Sequence, residues 1–297
     1  MAALTRVQDK VKELFGRDSL DWLSVSYVID WLVASAFFFL GNLVSHLAPF
    51  EREFSPDDPT ISHKHHSNQI SGTTNGSIAL YIPLIITTAV CAMQRSAIGI
   101  HHSALALWAG RSLAKFTVEC LKNRVGRLRP DFLARCKWDA AAETCTGKAA
   151  SIMDGRRSFP SGHSSTAFAG MTFLALWLAG QTTAWCFTAP VSGREIAASR
   201  LGRLLLTLAP LAWATWVAVS RLEDYRHHKE DVIVGAFIGT LCSGICYFIY
   251  WPSPFSADSF TPERVGQPRA TYAPRDYHER SNGGFELTRL QDDTEHV

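Results

Sequence analysis

Six long windows of the chain carry almost no charge, and polar segments separate them: Ser26 to Leu47, Ser77 to Met93, Ile100 to Leu121, Ser164 to Thr182, Leu201 to Val219 and Val232 to Trp251. Each is about 17 to 22 residues long, the length an α-helix needs to cross roughly 30 Å of hydrocarbon. The pattern predicts an all-α integral membrane bundle of six transmembrane helices. The second, fourth and fifth windows have little polar interruption, apart from Arg203 near the start of the fifth. Two others carry charge: Asp30 lies in the first, and Arg111, Lys115 and Glu119 lie in the third. At 100° per residue those three and Lys122 fall within an arc of about 80°. Lipid would not tolerate that face, so it must look into the bundle. Lys115 and Glu119, four residues apart, are spaced for a structural ion pair. In the sixth window Gly235, Gly239 and Ser243 recur every fourth residue, as expected where two membrane helices approach closely.

The segments outside the windows divide the chain into three parts. Residues 1–22 place Arg6, Lys10, Lys12 and Arg17 among Leu4, Val7, Val11, Leu14 and Phe15 at helical spacing, which reads as a cytosolic, interfacial amphipathic helix. Residues 23–251 hold the six windows, the first taken as an uncleaved anchor. Residues 252–297 contain five of the thirteen prolines and no apolar periodicity, and are expected to be a disordered cytosolic tail. Six crossings put both termini on one side, and the four basic residues before the first window assign that side to the cytosol. The connections Ala48 to Gly76, Lys122 to His163 and Ser220 to Asp231 then share the far side.

Composition removes one class of function. With 29 basic and 27 acidic residues the net charge is +2, and no basic stripe extends beyond one loop, so nucleic acid is not the partner. A mean hydropathy of +0.02 conceals the spans because the connections are so polar. Of seven cysteines, Cys136 and Cys145 share one far-side loop. They are either a disulfide, which would place that loop in an oxidising compartment, or two unrelated thiols. Asn75-Gly76-Ser77 matches a glycosylation sequon but abuts the second window too closely to be modified.

Two far-side loops and the helix ends that bound them collect the groups a phosphoryl-transfer site needs. The segments read KNRVGRLRPDF from Lys122, FPSGHSS before the fourth window, and SRLEDYRHHKED between the fifth and sixth. Transfer requires cations to offset the charge of the non-bridging oxygens, a nucleophile in line, and an acid for the departing alkoxide. Lys122, Arg129 and Arg221 supply permanent cations from separate helix ends. Ser161 and Gly162 stand at a helix N-terminus, where free N–H groups favour an anion. Asp231 follows His227 by four residues, so its carboxylate can reach one ring nitrogen and orient the other towards phosphorus. His163, from the opposite loop, can protonate the leaving group and then activate water.

Taken together, Lys122 through Arg129-Pro130, Pro160-Ser161-Gly162-His163, and Ser220-Arg221 with His227 and Asp231 resemble the three-part signature of the type 2 phosphatidic acid phosphatase superfamily. Glu51-Arg52-Glu53-Phe54 and Asp58-Pro59-Thr60-Ile61-Ser62 resemble its eukaryotic lipid phosphate phosphatase branch. The resemblance covers roughly Trp22 to Trp251. It implies a cofactor-free and metal-independent hydrolase of lipid phosphates such as phosphatidic acid, lysophosphatidic acid and diacylglycerol pyrophosphate, with its site at one membrane face, luminal or extracellular. His227 would be the nucleophile forming a phosphohistidine, Asp231 its support and His163 the general acid, then base. Lys122, Arg129, Ser161, Gly162 and Arg221 would bind the phosphate. Lys229 and Glu230, between His227 and Asp231, add charge beside the site and are a local departure.

Other residues read more plainly. Arg156 and Arg157 are expected to be solvated loop residues, His228 to support the site from behind, and His101 and His102 to sit at the membrane interface. His63-Lys64-His65-His66 lacks an acidic or cysteine partner at ligand spacing, so no metal is expected there. Competing functions are a polyprenyl-diphosphate, sphingoid-phosphate or sugar-phosphate phosphatase of the same superfamily, a transporter, and a catalytically silent lipid-binding relative. A transporter would show repeated halves and a midplane site, and neither is visible.

Overall fold

The computed structural model describes residues 23–189, 198–261, 264–269 and 271–272. The expected amphipathic helix over residues 1–22 lies outside the described residues. In chain order the elements are α1 (Val25–Ser45), α2 (Gly72–Met93), α3 (Ala97–Val125), the short α4 (Phe132–Cys136), two-residue strands β1 (Trp138–Asp139) and β2 (Thr144–Cys145), α5 (Ala149–Gly155), then α6 (Gly162–Thr182), α7 (Arg200–Glu223) and α8 (Lys229–Tyr250). A helix therefore covers every one of the six windows. Serine side chains at Ser24, Ser71, Ser96, Ser161 and Ser199 accept a backbone N–H at the start of α1, α2, α3, α6 and α7. That side-chain oxygen satisfies a donor that has no partner within the helix.

Four helices, α1, α2, α7 and α8, are long and apolar enough to cross a membrane. Their outer faces expose Leu32, Phe39, Ile85, Leu205, Ile233 and Phe237, a surface that water would not favour. The other two are the interior of the bundle. Helix α6 packs against α2, α3, α7 and α8, while α3 packs against α1, α2, α6 and α8. Touching protein on most sides, they can carry small and polar residues where the outer helices carry leucine and phenylalanine. Ser164, Ser165 and Thr172 on α6 and His102, Ser103 and Ser112 on α3 are all buried.

Close helix approach depends on glycine, as the fourfold repeat in the sixth window predicts. A Cβ on Gly235 would stand 2.4 Å from the Ser161 carbonyl oxygen, and one on Gly239 would stand 2.3 Å from that of Ser165. These contacts bring the start of α6 against the start of α8, where the Ser161 N–H donates to the Asp231 carbonyl at 2.8 Å. Gly126 ends α3 in the left-handed region at φ 58°, which turns the chain beneath Phe50.

The charged face of α3 does look inward, but its pairing differs from the expectation. Lys115 donates to Asn42 of α1 and lies over the Phe38 ring. Glu119 instead accepts from Lys122 at 2.8 Å and from Arg157 at 2.5 Å. A carboxylate partner for Lys115 is unnecessary once α1 supplies an amide oxygen and an aromatic face.

Above the bundle the far-side loops build a small core of their own from Ile61, Leu128 and Phe132, with Phe54 and Trp138 packed against it. Cys136, at the end of α4, and Cys145, in β2, are joined by a disulfide. At the opposite end, part of the expected tail makes defined contacts. The Arg269 N–H donates to the Tyr250 carbonyl at 2.8 Å, and the Tyr272 hydroxyl donates to Asp30 at 2.8 Å. Tyr250 donates to the same carboxylate at 2.7 Å. Two tyrosine hydroxyls thus satisfy the charge in the first window. His102 is wholly buried beside Tyr27 and Tyr250 rather than interfacial, its Nε2 lying 3.2 Å from the Tyr27 hydroxyl.

Gly239→Ala is expected to lower stability by about 1–3 kcal/mol, because the new methyl meets backbone on α6 that cannot swing away. Thermal unfolding of the detergent-solubilised protein measures this, and an unchanged midpoint would contradict the close approach.

Candidate active site

The three signature segments meet at one end of the bundle. Lys122 comes from the last turn of α3, Ser161 to His163 from the start of α6, Arg221 from the end of α7, and His227 and Asp231 from the start of α8. Arg129 enters from the loop after α3. Their proximity is visible in His163: burial first, then the charges of Arg221, His227, Arg129 and Lys122, push its imidazole down to about 3. Its Nε2 is buried with no hydrogen-bond partner among the described residues. A phosphate dianion beside those cations would reverse their effect and favour the imidazolium.

Each cation is held from behind by a carboxylate. Lys122 pairs with Glu119 at 2.8 Å, Arg129 with Asp154 at 2.9 Å, and Arg221 with Asp224 at 2.9 Å. Arg221 is fully buried, and its remaining donors go to Ser220 and to the Asn68 side-chain oxygen at 3.0 Å. Gln69 closes the same corner through its backbone and side-chain N–H groups to Asp224. Asp154 also accepts from Arg135 at 2.6 Å. Partial burial opposes ionisation of Asp154, yet Arg129, Arg135 and Lys122 outweigh it and hold the carboxyl down at about 2.

Gly162 leaves room for the lysine, since a Cβ there would stand 3.0 Å from Lys122 Nζ. Ser161, the helix cap, is wholly buried and accepts from the Ser164 hydroxyl at 3.0 Å. Asn75 belongs to α2, where its amide donates to the His163 carbonyl at 3.0 Å. The sequon residue is therefore a buried fastener of the α6 start.

The two histidines occupy different surroundings. His227 Nδ1 lies 2.8 Å from the Ser158 carbonyl oxygen, a pure acceptor, so the ring donates there and Nε2 keeps its lone pair. That Nε2 faces Arg129 Nη1 at 3.4 Å. Burial is the main cause that lowers the His227 imidazole, to about 4; Asp231 pulls the other way, and Arg129 and Lys122 add to the lowering. The Asp231 carboxylate is 3.7 Å from His227 Nδ1 and touches Ser158 more closely, accepting from its hydroxyl at 2.5 Å. It also accepts from Arg127 at 2.9 Å and from the His228 N–H at 3.0 Å. Direct Asp231-to-His227 hydrogen bonding, expected from the four-residue spacing, is thus replaced by a bridge through Ser158. Sequence reasoning missed Ser158, Asn68 and Asn75 and gave Arg127 no role. Only the clustering of arginines in KNRVGRLRP pointed towards the last.

Other candidates are structural. Arg156 donates to the Arg52 carbonyl and lies over the Phe132 ring, and Arg157 ties Glu119 to the Ser45 carbonyl. His63 stacks on Tyr225, and His65 lies 2.7 Å from the buried Asp131. Among the described residues no group of three or more histidine, cysteine, aspartate or glutamate side chains is arranged to hold a metal ion.

Residues 103–254 match the family model of the PAP2 superfamily. Lipid phosphate phosphatase 1 of Arabidopsis thaliana is 31% identical over 78% of this chain and 71% of its own length. The probable diacylglycerol pyrophosphate phosphatase 1 of Schizosaccharomyces pombe is 35% identical over 69% and 72%. Diacylglycerol pyrophosphate phosphatase 1 of Saccharomyces cerevisiae is 34% identical over 72% and 75%. No solved structure matches the chain at a significant level. The chain belongs to the PAP2 superfamily.

Asp154→Asn should loosen Arg129 and weaken binding of orthovanadate, a tetrahedral oxyanion, by about three- to tenfold, or ~1 kcal/mol. Calorimetric titration measures this, and an affinity equal to that of the unaltered protein would remove Asp154 as an anchor of the anion site.

Proposed function

We propose that this member of the PAP2 superfamily hydrolyses lipid phosphate monoesters and pyrophosphates, such as phosphatidic acid, lysophosphatidic acid and diacylglycerol pyrophosphate, through a phosphohistidine and without a metal. The names of its relatives, lipid phosphate phosphatase and diacylglycerol pyrophosphate phosphatase, support the substrate class. One observation carries the chemistry: His227 donates a hydrogen bond from Nδ1 to a backbone carbonyl and presents Nε2 beside Arg129. That is the tautomer a nucleophilic imidazole requires.

In the proposed reaction Lys122, Arg129 and Arg221 neutralise the non-bridging oxygens, and the N–H groups at Ser161 and Gly162 add helix-terminal donors. The His227 Nε2 lone pair forms the N–P bond as the P–O bond to the lipid breaks. His163, protonated once the phosphate dianion sits among the cations, gives its proton to the departing oxygen. In the second half His163 takes a proton from water, the water oxygen attacks phosphorus, and the N–P bond breaks to return His227 and release inorganic phosphate. Positive charge on phosphorylated His227 is offset by Asp231 at 3.7 Å.

The proposed topology has six crossings. The four apolar helices supply the outer ones, and α3 and α6 span the centre, shielded from lipid by their neighbours. The termini face the cytosol, and the site, with its disulfide-bearing loop, faces the lumen or exterior. Lipid access is supported by an apolar groove of about 410 Å³ on the bundle flank, lined by Ile78 and Ile82 of α2, Leu174 of α6, and Leu206, Pro210 and Trp213 of α7. Helix α6 runs from this groove to His163.

Purified protein is expected to release phosphate from phosphatidic acid and diacylglycerol pyrophosphate in excess EDTA, and His227→Ala should lose on the order of a thousandfold or more in kcat. Full activity in that variant, or loss of activity on chelation, would contradict the mechanism. Because burial keeps His227 neutral, the acid limb of the kcat/KM profile should lie well below 6.5, the ordinary imidazole midpoint. A limb at or above that value would contradict a neutral buried nucleophile.

A further inference from the structure

Asp231 is the hub of the α8 end of the site, and its most strongly charged neighbour comes from neither of the two segments that carry the histidines. Arg127, in the loop after α3, donates from Nη1 to Asp231 Oδ1 at 2.9 Å and from Nη2 to Glu230 Oε2 at 3.1 Å. One guanidinium therefore clamps two consecutive carboxylates at the first turn of α8, a side-by-side geometry that a lysine point charge would reproduce less well. Glu230 is largely exposed and Asp231 is fully buried, so the clamp reaches from solvent to the site.

The buried carboxylate has two oxygens with separate duties. Oδ1 is taken by Arg127, while Oδ2 accepts from the Ser158 hydroxyl at 2.5 Å and the His228 N–H at 3.0 Å. The Ser158 carbonyl in turn accepts a hydrogen bond from His227 Nδ1. The chain of contacts runs Arg127, Asp231, Ser158, His227, and it ties the loop after α3 and the loop before α6 to the start of α8. We infer that Arg127 is a positioning residue: by holding Asp231 fixed against Ser158, it sets the ring orientation and tautomer of His227.

This inference rests on the proposed role of His227. It also accounts for the Lys229-Glu230 departure, because Glu230 is the outer jaw of the clamp. The charged and titratable groups around Asp231 are Arg127 from the loop after α3, His227 and His228 from the loop before α8, and Glu230 on α8 itself. Arg52, Glu53 and Asp58 of the first far-side loop line the pocket that Arg127 and His228 share. Arg129 and Lys122 act on the His227 side. Removing Arg127 deletes one cation from this set, which makes protonation of the remaining groups easier at every position.

The test compares R127Q and R127K with the unaltered full-length protein. In R127Q the acid limb of the kcat/KM profile should move upward by about 0.5–1 pH unit, with a fall in rate of about tenfold or more; R127K should restore the limb while recovering only part of the rate. A rate loss in R127Q with the limb unmoved would reduce Arg127 to a structural residue and overturn the inference, as would an unaltered rate and profile. A second readout needs no turnover. In 15N-histidine spectra assigned through H227Q, the His227 midpoint should rise in R127Q and remain in place in R127K. An unmoved midpoint in R127Q would overturn the clamp even if the lipids chosen are poor substrates, whereas a shifted midpoint with no hydrolysis of any lipid phosphate would sustain the clamp and count against the proposed function.

Discussion

Several positive charges must be held around one point, out of water, without an anion of their own kind permanently between them. Taking each of those ions from water costs several kcal/mol, and their mutual repulsion adds to it. The fold answers with a carboxylate behind each cation: Glu119 for Lys122, Asp154 for Arg129, Asp224 for Arg221 and Asp231 for Arg127. The fourth pair is inverted, with Asp231 fully buried beside His227 and Arg127 the more exposed partner. Glu119 and Asp154 are themselves gripped by Arg157 and Arg135, so the paired charges continue outward into the loops. The far-side loops, with their small hydrophobic core and disulfide, hold these outer arginines in place.

The bundle beneath is arranged to deliver that cluster. The two interior helices, the charged α3 and the small-residue α6, are packed among four more apolar ones, and they carry Lys122 and the Ser161–His163 turn to the same end. Glycines at 235 and 239 let α8 lie against α6 closely enough for Ser161 and Asp231 to share a backbone hydrogen bond. Packing at helix-to-helix distances too short for a methyl group thus becomes positional accuracy at the site.

Much of this was legible in the chain itself, and the reason for what was not is consistent. The helices could be placed because a run of uncharged residues is a local property. The lysine, arginines and histidines of the site could be named because their spacing within each segment is short and distinctive. Their partners could not, since Asp154 and Asn68 come from loops whose sequences carry no periodicity. Lys115 and Glu119 illustrate the limit: their spacing was correct for a pair, but partners from α1 and from the loop before α6 outcompeted it. Asp231 and His227 had the right spacing too, and Ser158 came between them. The interior position of α3 and α6 was only half visible, through the charges of the first and not at all through the second.

The contacts of Tyr272 redraw where the folded unit stops. By apolar length it would end at Trp251, yet Asp30 of the first helix takes one of its two hydroxyl partners from a residue about twenty positions later. A shortened chain that ended with α8 would retain all four of the long apolar helices among the described residues and still leave the half-buried Asp30 carboxylate with one hydroxyl partner instead of two. The segment after α8 thereby finishes the solvation of α1, so the two have to be inherited, cut or fused as a single piece.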